Sequence, residues 1–291
     1  LPLRLLLFAG ACEQNLVFKG GNEMSKTKVY LLDFGTLALD GYMMFWGRGP
    51  SGLIRFPTYG VLVDHAEGRF LFDTGFSKEW FEQHMPGLAQ QTDRQTVPGQ
   101  LNLIGLRPSD ITHVVNSHMH VDHVGGNHYC SEACTLCHKA ELEAVRRPEP
   151  WEELGYSDRS FATPEQLDPA ATPHIDDAVT EIHTPRFELL TGDQEIAKGV
   201  HLLETPGHTP GHYSLMVELS DRRPMLFTGD ACYMKKSIEE NLIANAHSDV
   251  KQAHASLDRL RKLSEKYDAE LFYSHDLEAW QGWKPAPEFY S

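Results

Sequence analysis

Basic side chains are scarce in this 291-residue chain, where 26 Lys and Arg stand against 41 Asp and Glu for a formal charge of −15. A phosphate-coated partner needs a basic face, so this balance argues against nucleic acid as the ligand. Long apolar runs are missing as well: none approaches the roughly 20 residues a membrane helix requires, which argues against a membrane protein. Cysteine is limited to five residues, too few and too unevenly placed for a disulfide framework in a chain of this length. A reduced, cytoplasmic setting is the expectation. No linker, low-complexity tract or internal repeat divides the chain, so one domain is expected from residue 24 to 291. Apolar residues make up 41% of the sequence, enough for an ordinary core and too many for disorder.

Residues 1–23 differ in character from the remainder of the chain. Leu1 to Ala11 is an apolar run holding one Arg, and Cys12 comes next, a pattern that resembles a truncated secretory or lipoprotein leader. Met24 to Lys28, by contrast, reads as a natural start that runs directly into the strand-like Val29 to Asp33. The first 23 residues are therefore expected to stand outside the fold.

From Lys28 onward, short β-rich runs alternate with turn signals. Strands are expected at Val29–Leu32, Tyr59–Asp64, Arg69–Asp73, Thr112–Ser117, Thr135–His138, Gly199–Glu204, Tyr213–Leu219, Pro224–Thr228 and Glu270–Ser274. Helical periodicity marks Lys78–His84, Lys139–Arg147 and Ser248–Tyr267. In the last of these, Val250, Ala253, Leu257, Leu260 and Leu263 line one face.

Histidine is abundant at 16 residues, and its distribution is informative. His118-Met119-His120-Val121-Asp122-His123 follows the apolar Val114-Val115 and opens into Gly125-Gly126. Four ligand-type side chains packed this closely cannot all point one way from a helix, but a loop can present them to two neighbouring points. Neutral imidazole and carboxylate form the donor set expected for zinc and related divalent ions. A second string, Cys134-Thr135-Leu136-Cys137-His138, literally matches a c-type haem attachment pattern. The amphipathic run after it favours buried structural cysteines on a strand instead.

His118-x-His120-x-Asp122-His123 resembles the signature of the metallo-β-lactamase superfamily, and four further motifs follow that family's order. These are Asp73-Thr74-Gly75, Thr205-Pro206-Gly207-His208, Phe227-Thr228-Gly229-Asp230 and Tyr273-Ser274-His275-Asp276. The resemblance implies an α/β fold of the αβ/βα four-layer sandwich type. It implies two divalent ions, most simply zinc: one held by His118, His120 and His208, the second by Asp122, His123 and His275, with Asp230 shared between them. His212 is expected to support its loop. His128, His138, His174, His183, His201, His247 and His254 fall outside every motif and read as ordinary core or surface residues.

Tyr233, three residues after Asp230, is similar to a tyrosine of the N-acyl-homoserine lactonases, in which the phenol reaches the substrate carbonyl. The resemblance thus implies a carboxylic ester hydrolase of the quorum-quenching type. Its nucleophile would be a water bridging the two ions, and Asp230 and Tyr233 would be its catalytic side chains. Phe45-Trp46, Arg48-Gly49-Pro50, Arg55-Phe56-Pro57 and the ending Pro287 to Tyr290 are similar to a second branch, 4-pyridoxolactonase of vitamin B6 breakdown. Met43, Met44, Phe45, Trp46 and Phe76 are candidates for an acyl-tail groove, although such a run is more often core. A zinc β-lactamase is disfavoured by Asp122 and by the absence of a late cysteine ligand, and a nuclease by the net charge. A non-hydrolytic binding or redox protein on the same fold rests on the haem-like string alone.

Overall fold

Alternating apolar residues on the early strands point to two different surfaces, and the fold covers both. The computed structural model describes residues 26–156 and 187–291. The leader-like segment 1–23, together with His174 and His183, lies outside the described residues. Six strands form the first sheet in sequence order: β1 (Lys28–Asp40), β2 (Leu53–His65), β3 (Gly68–Phe72), β4 (His113–Val115), β5 (Cys134–His138) and β6 (Phe187–Leu190). The second sheet contains β7 (Gln194–Ala197), β8 (Val200–Glu204), β9 (Tyr213–Val217), β10 (Met225–Phe227) and β11 (Glu270–Phe272), in the order β11-β10-β9-β8-β7. Pairing is antiparallel from β1 to β3 and parallel from β3 to β6. In the second sheet only β10 and β11 run parallel.

Val29, Leu31, Val61, Val63, Phe70 and Phe72 of the first sheet pack against Val200, Leu202, Leu215, Val217, Phe227 and Phe272 of the second. The alternate residues of β1, Tyr30 and Leu32, face outward and meet Val97 and Leu101 of the helix Val97–Leu103. Leu203, Met216 and Leu226 do the same for the second sheet, against Ala253, Leu257 and Leu260 of the helix Val250–Tyr267. Burial on both faces makes these strands read as continuous apolar runs, and the result is the expected αβ/βα sandwich. The long helix begins two residues later than expected because Asp249 is its cap, accepting the Gln252 N–H at 2.9 Å.

β1 extends well past the expected Leu32. A register shift between Asp33 and Thr36 accommodates Gly35 at φ +99°, where a Cβ would lie 2.4 Å from the Gln90 carbonyl oxygen. Glycine therefore permits the bulge that lets the strand continue. Pro57 is tolerated within β2 because it pairs at that irregularity, opposite Thr36. β6 and β7 are not apparent in the sequence: each is a four-residue edge strand with exposed positions, so neither carries a strong alternation.

The haem-like string occupies β5 and the start of the next helix. Cys134 joins the inter-sheet core, whereas Cys137 packs with Met119 and Val124 in a separate cluster. The two thiols leave the strand on opposite sides and cannot both attach to one porphyrin edge. Cys130, Cys134, Cys137 and Cys232 are buried, and burial pushes the Cys130 thiol up to about 12. Thiol alkylation of native protein at pH 8 is expected to leave these four unmodified in a peptide map and to label them after denaturation. Cys134→Ser or Cys137→Ser should lower stability while sparing turnover, and loss of turnover in a folded variant would give the thiol a chemical role. Among the described residues no helix is long and apolar enough to cross a membrane.

Candidate metal centre

Every motif residue follows the C-terminal end of a strand, and all those ends lie at one edge of the sandwich. Asp73 follows β3, His118 to His123 follow β4, His208 follows β8, Asp230 follows β10 and His275 follows β11. The fold thereby gathers His118, His120 and His208 into one group, and Asp122, His123, Asp230 and His275 into another. Within each group the ligand atoms lie within 4.8 Å of one another.

Asp230 joins the two groups through different oxygens. Its Oδ2 lies 3.8 Å from His118 Nε2 and 3.4 Å from His208 Nε2. Its Oδ1 lies 3.3 Å from His123 Nε2 and 3.2 Å from His275 Nε2. Asp122 Oδ2 closes the second group at 3.7 Å from both His123 Nε2 and His275 Nε2. His120 alone turns Nδ1 inward, 3.0 Å from His208 Nε2.

Three of the polar atoms that face one another here are buried and unpaired. His118 Nε2, His123 Nε2 and Asp230 Oδ1 are shielded from solvent and have no hydrogen-bond partner of proper geometry. Orphaned polar atoms cost free energy unless a ligand satisfies them. Five imidazoles and two carboxylates match a pair of borderline divalent cations sharing one carboxylate, so the residues fit the group the sequence implied.

Four of the five imidazoles have the opposite ring nitrogen occupied. His123 Nδ1 donates to Asp73 Oδ2 at 2.8 Å, His208 Nδ1 to the Ala246 carbonyl at 2.7 Å, and His275 Nδ1 to the Pro57 carbonyl at 3.1 Å. The Ser117 hydroxyl donates to Asp73 Oδ2 at 2.7 Å, which leaves its oxygen to accept from His118 Nδ1 at 2.9 Å. Each bond fixes the tautomer and leaves Nε2 bare toward the centre. Asp73 itself adopts φ +59°, an unfavourable left-handed conformation for a non-glycine residue.

Electrostatics divide the centre. Burial disfavours charge on every imidazole, holding His208 down to about 3 and His120 to about 4, and pushing His118 well below its usual value. At His123 and His275 the same burial is outweighed by Asp230 and Asp122, and both are raised. Burial also opposes charge on Asp230, yet His123 and His275 hold its carboxyl well below the ordinary range.

His212 is not a ligand. Its Nε2 accepts the backbone N–H of Asp230 at 2.9 Å and its Nδ1 donates to Thr205 Oγ1 at 2.8 Å. A Cβ on Gly229 would lie 2.6 Å from that Nε2, which is why glycine precedes Asp230. The histidine expected to support a loop therefore positions Asp230.

The family sequence pattern described as the metallo-beta-lactamase superfamily matches residues 53–275. The chain belongs to the metallo-β-lactamase superfamily. It is 30% identical to an N-acyl homoserine lactonase of a Bacillus species over 277 residues, covering 91% of this chain and 100% of that protein. It is 28% identical to the N-acyl homoserine lactonase AttM of Rhizobium radiobacter, covering 92% and 100%. A solved N-acyl homoserine lactone hydrolase, with the product N-hexanoyl-L-homoserine at its catalytic metal centre, superposes with a TM-score of 0.76. That structure is 28% identical, with 92% of this chain and all of that one covered.

In this member of the superfamily Tyr233 lies beside the centre, its ring 4.9 Å from that of His275 and 5.8 Å from that of His208. Burial first, then the Asp230 and Asp122 carboxylates, raise its phenol well above the usual value. A cavity continues from Tyr233 past Leu242, Ile243, Ala244 and His247. The acyl-groove candidates from the sequence divide: Met44, Phe45 and Phe76 are core, whereas Met43 and Trp46 are exposed. Trp46 packs against His247 with ring centres 4.7 Å apart, placing both near that cavity. Sequence alone marks His247 as ordinary, since no ligand spacing surrounds it. His138 and His201 form local pairs with Glu204 and Glu218, in keeping with that reading.

Proposed function

We propose that this protein is a metal-dependent lactonase that opens the ring ester of N-acyl-homoserine lactones. The observation that carries the reading is Asp230 placed between two ligand groups, with the phenol of Tyr233 alongside. Two divalent ions held by His118, His120 and His208 and by Asp122, His123 and His275, with Asp230 shared, would supply an activated water and Lewis acidity toward the ester carbonyl. Zinc suits the imidazole-rich donor set.

The side chains account for the rest of the chemistry. Tyr233 stays protonated at neutral pH and can donate its O–H to the carbonyl oxygen as negative charge develops there. Asp230, placed between the two groups, can relay a proton from the attacking water to the departing ring oxygen. An acyl tail beside the reacting ester would meet the apolar Leu242, Ile243 and Ala244, which line the small cavity beyond Tyr233. The charge of −15 and the likeness to N-acyl homoserine lactonases support a small uncharged lactone over a phosphate ester.

Acid release from a short acyl-homoserine lactone, a long one, 4-pyridoxolactone and nitrocefin tests the assignment. Turnover of the homoserine lactones is expected; turnover confined to 4-pyridoxolactone would move the protein to that branch, and turnover of none would remove the lactonase reading. Tyr233→Phe keeps the ring and removes only the hydroxyl. Because a metal would share the oxyanion, kcat is expected to fall on the order of tenfold, with metal content intact. A rise in KM alone would make Tyr233 a binding contact instead.

A further inference from the structure

Glu141 is a fully buried carboxylate that belongs to neither ligand group. It sits in the first turn of the helix Lys139–Arg146, and its two oxygens reach two separate loops. Oε2 accepts the backbone N–H of Met119 at 3.1 Å, and Oε1 accepts that of Gly211 at 2.7 Å. Met119 lies between the ligands His118 and His120. Gly211 lies in the loop between Thr205 and His212 that carries His208. Those three histidines are the whole of one ligand group, so one carboxylate spans the two chain segments that build it.

The surroundings enforce the same spacing. A Cβ on Gly211 would lie 2.4 Å from His138 Nδ1, so the His208 loop rests directly on the junction between β5 and the helix. His138 Nε2 pairs with Glu204 Oε1 at 2.8 Å, at the end of β8 where that loop begins. The other ligand group is braced elsewhere: His123 by Asp73, and His275 by the Pro57 carbonyl. A buried carboxylate is expensive where an apolar side chain would fill the volume, unless both oxygens are satisfied as they are here.

We propose that Glu141 is a positioning residue that sets the distance between the His118–His120 segment and the His208 loop, and thereby the metal affinity of that site alone. The inference rests on the two-site reading of the centre. Its test is zinc titration of metal-free wild type, Glu141→Leu and Glu141→Gln against a competing chelator, alongside circular dichroism. Wild type is expected to bind two ions. Each folded variant should bind one as tightly as wild type and the other about 10- to 100-fold more weakly, the range for loss of a group that orients ligands. Adding His275→Ala to Glu141→Leu should then abolish the remaining tight site, whereas adding His208→Ala should leave it.

Should Glu141→Leu fail to fold, Glu141→Gln decides the matter, since it keeps one acceptor and turns an NH2 toward the other N–H. Wild-type affinity at both sites in the folded variants would overturn the proposal. Equal weakening of both sites would also overturn it, because Glu141 would then support only the fold. Fewer than two ions in wild type would remove the two-site reading itself, a result distinct from two ions in wild type and unaltered variants.

Discussion

Asp230→Asn is expected to lower kcat/KM by on the order of 10³ and to leave at most one tightly bound metal ion per chain. The substitution preserves shape, so the effect isolates charge. Asp230 Oδ2 faces His118 and His208, and Oδ1 faces His123 and His275. An amide can present its oxygen to one group only, and must turn N–H donors toward the other. It also removes the single negative charge between two dications in a buried setting, where electrostatic effects exceed those in water. Elemental analysis of folded variant and wild type, with kinetics at saturating zinc, checks this. Two ions retained with near-wild-type turnover would show that Asp230 is not shared. His123→Ala should likewise lower metal content and activity, since the loss leaves its neighbours' charge and geometry uncompensated.

The second large effect is expected at a residue that belongs to neither ligand group. Asp73→Asn should weaken metal affinity at the His123 site about 10- to 100-fold while leaving the backbone in place. Asp73 Oδ2 accepts from both His123 Nδ1 and Ser117 Oγ, and Oδ1 accepts the Ser117 backbone N–H. An asparagine that keeps its oxygen on the Ser117 N–H places its NH2 opposite His123 Nδ1. The imidazole must then carry its proton on Nε2, the atom needed toward the centre. Chelator competition on the variant provides the measurement, and the rate recovered by excess zinc separates a tautomer effect from misfolding. Unchanged affinity would mean that Asp73 serves only its own turn at φ +59°.

Local pattern made much of this protein legible. His118, His120, Asp122 and His123 are close in sequence, and ligand type with spacing was enough to mark a metal loop. Superfamily resemblance then added His208, Asp230 and His275, which the fold brings to the same edge from three other strands. Strand positions were recovered wherever alternation was strong. They are hidden where an irregularity intervenes, as at Gly35, or where an edge strand is short, as in β6 and β7.

Other features depended on contacts across long sequence distances. No sequence signal distinguishes His212 from His208 by chemistry. Backbone geometry after β10 places the Asp230 N–H on His212 Nε2, which spends that nitrogen's lone pair. Nor could composition indicate that Glu141, in an ordinary amphipathic helix, would face inward to two loops, or that Met44, Phe45 and Phe76 would be core while Trp46 stayed exposed. Residue type and spacing, which are properties of neighbours, mark the His118–His123 segment as able to bind metal, and resemblance to the family supplies His208, Asp230 and His275. Only the tertiary structure decided which lone pair points where, because a tautomer or a shared carboxylate is set by partners tens to hundreds of residues away.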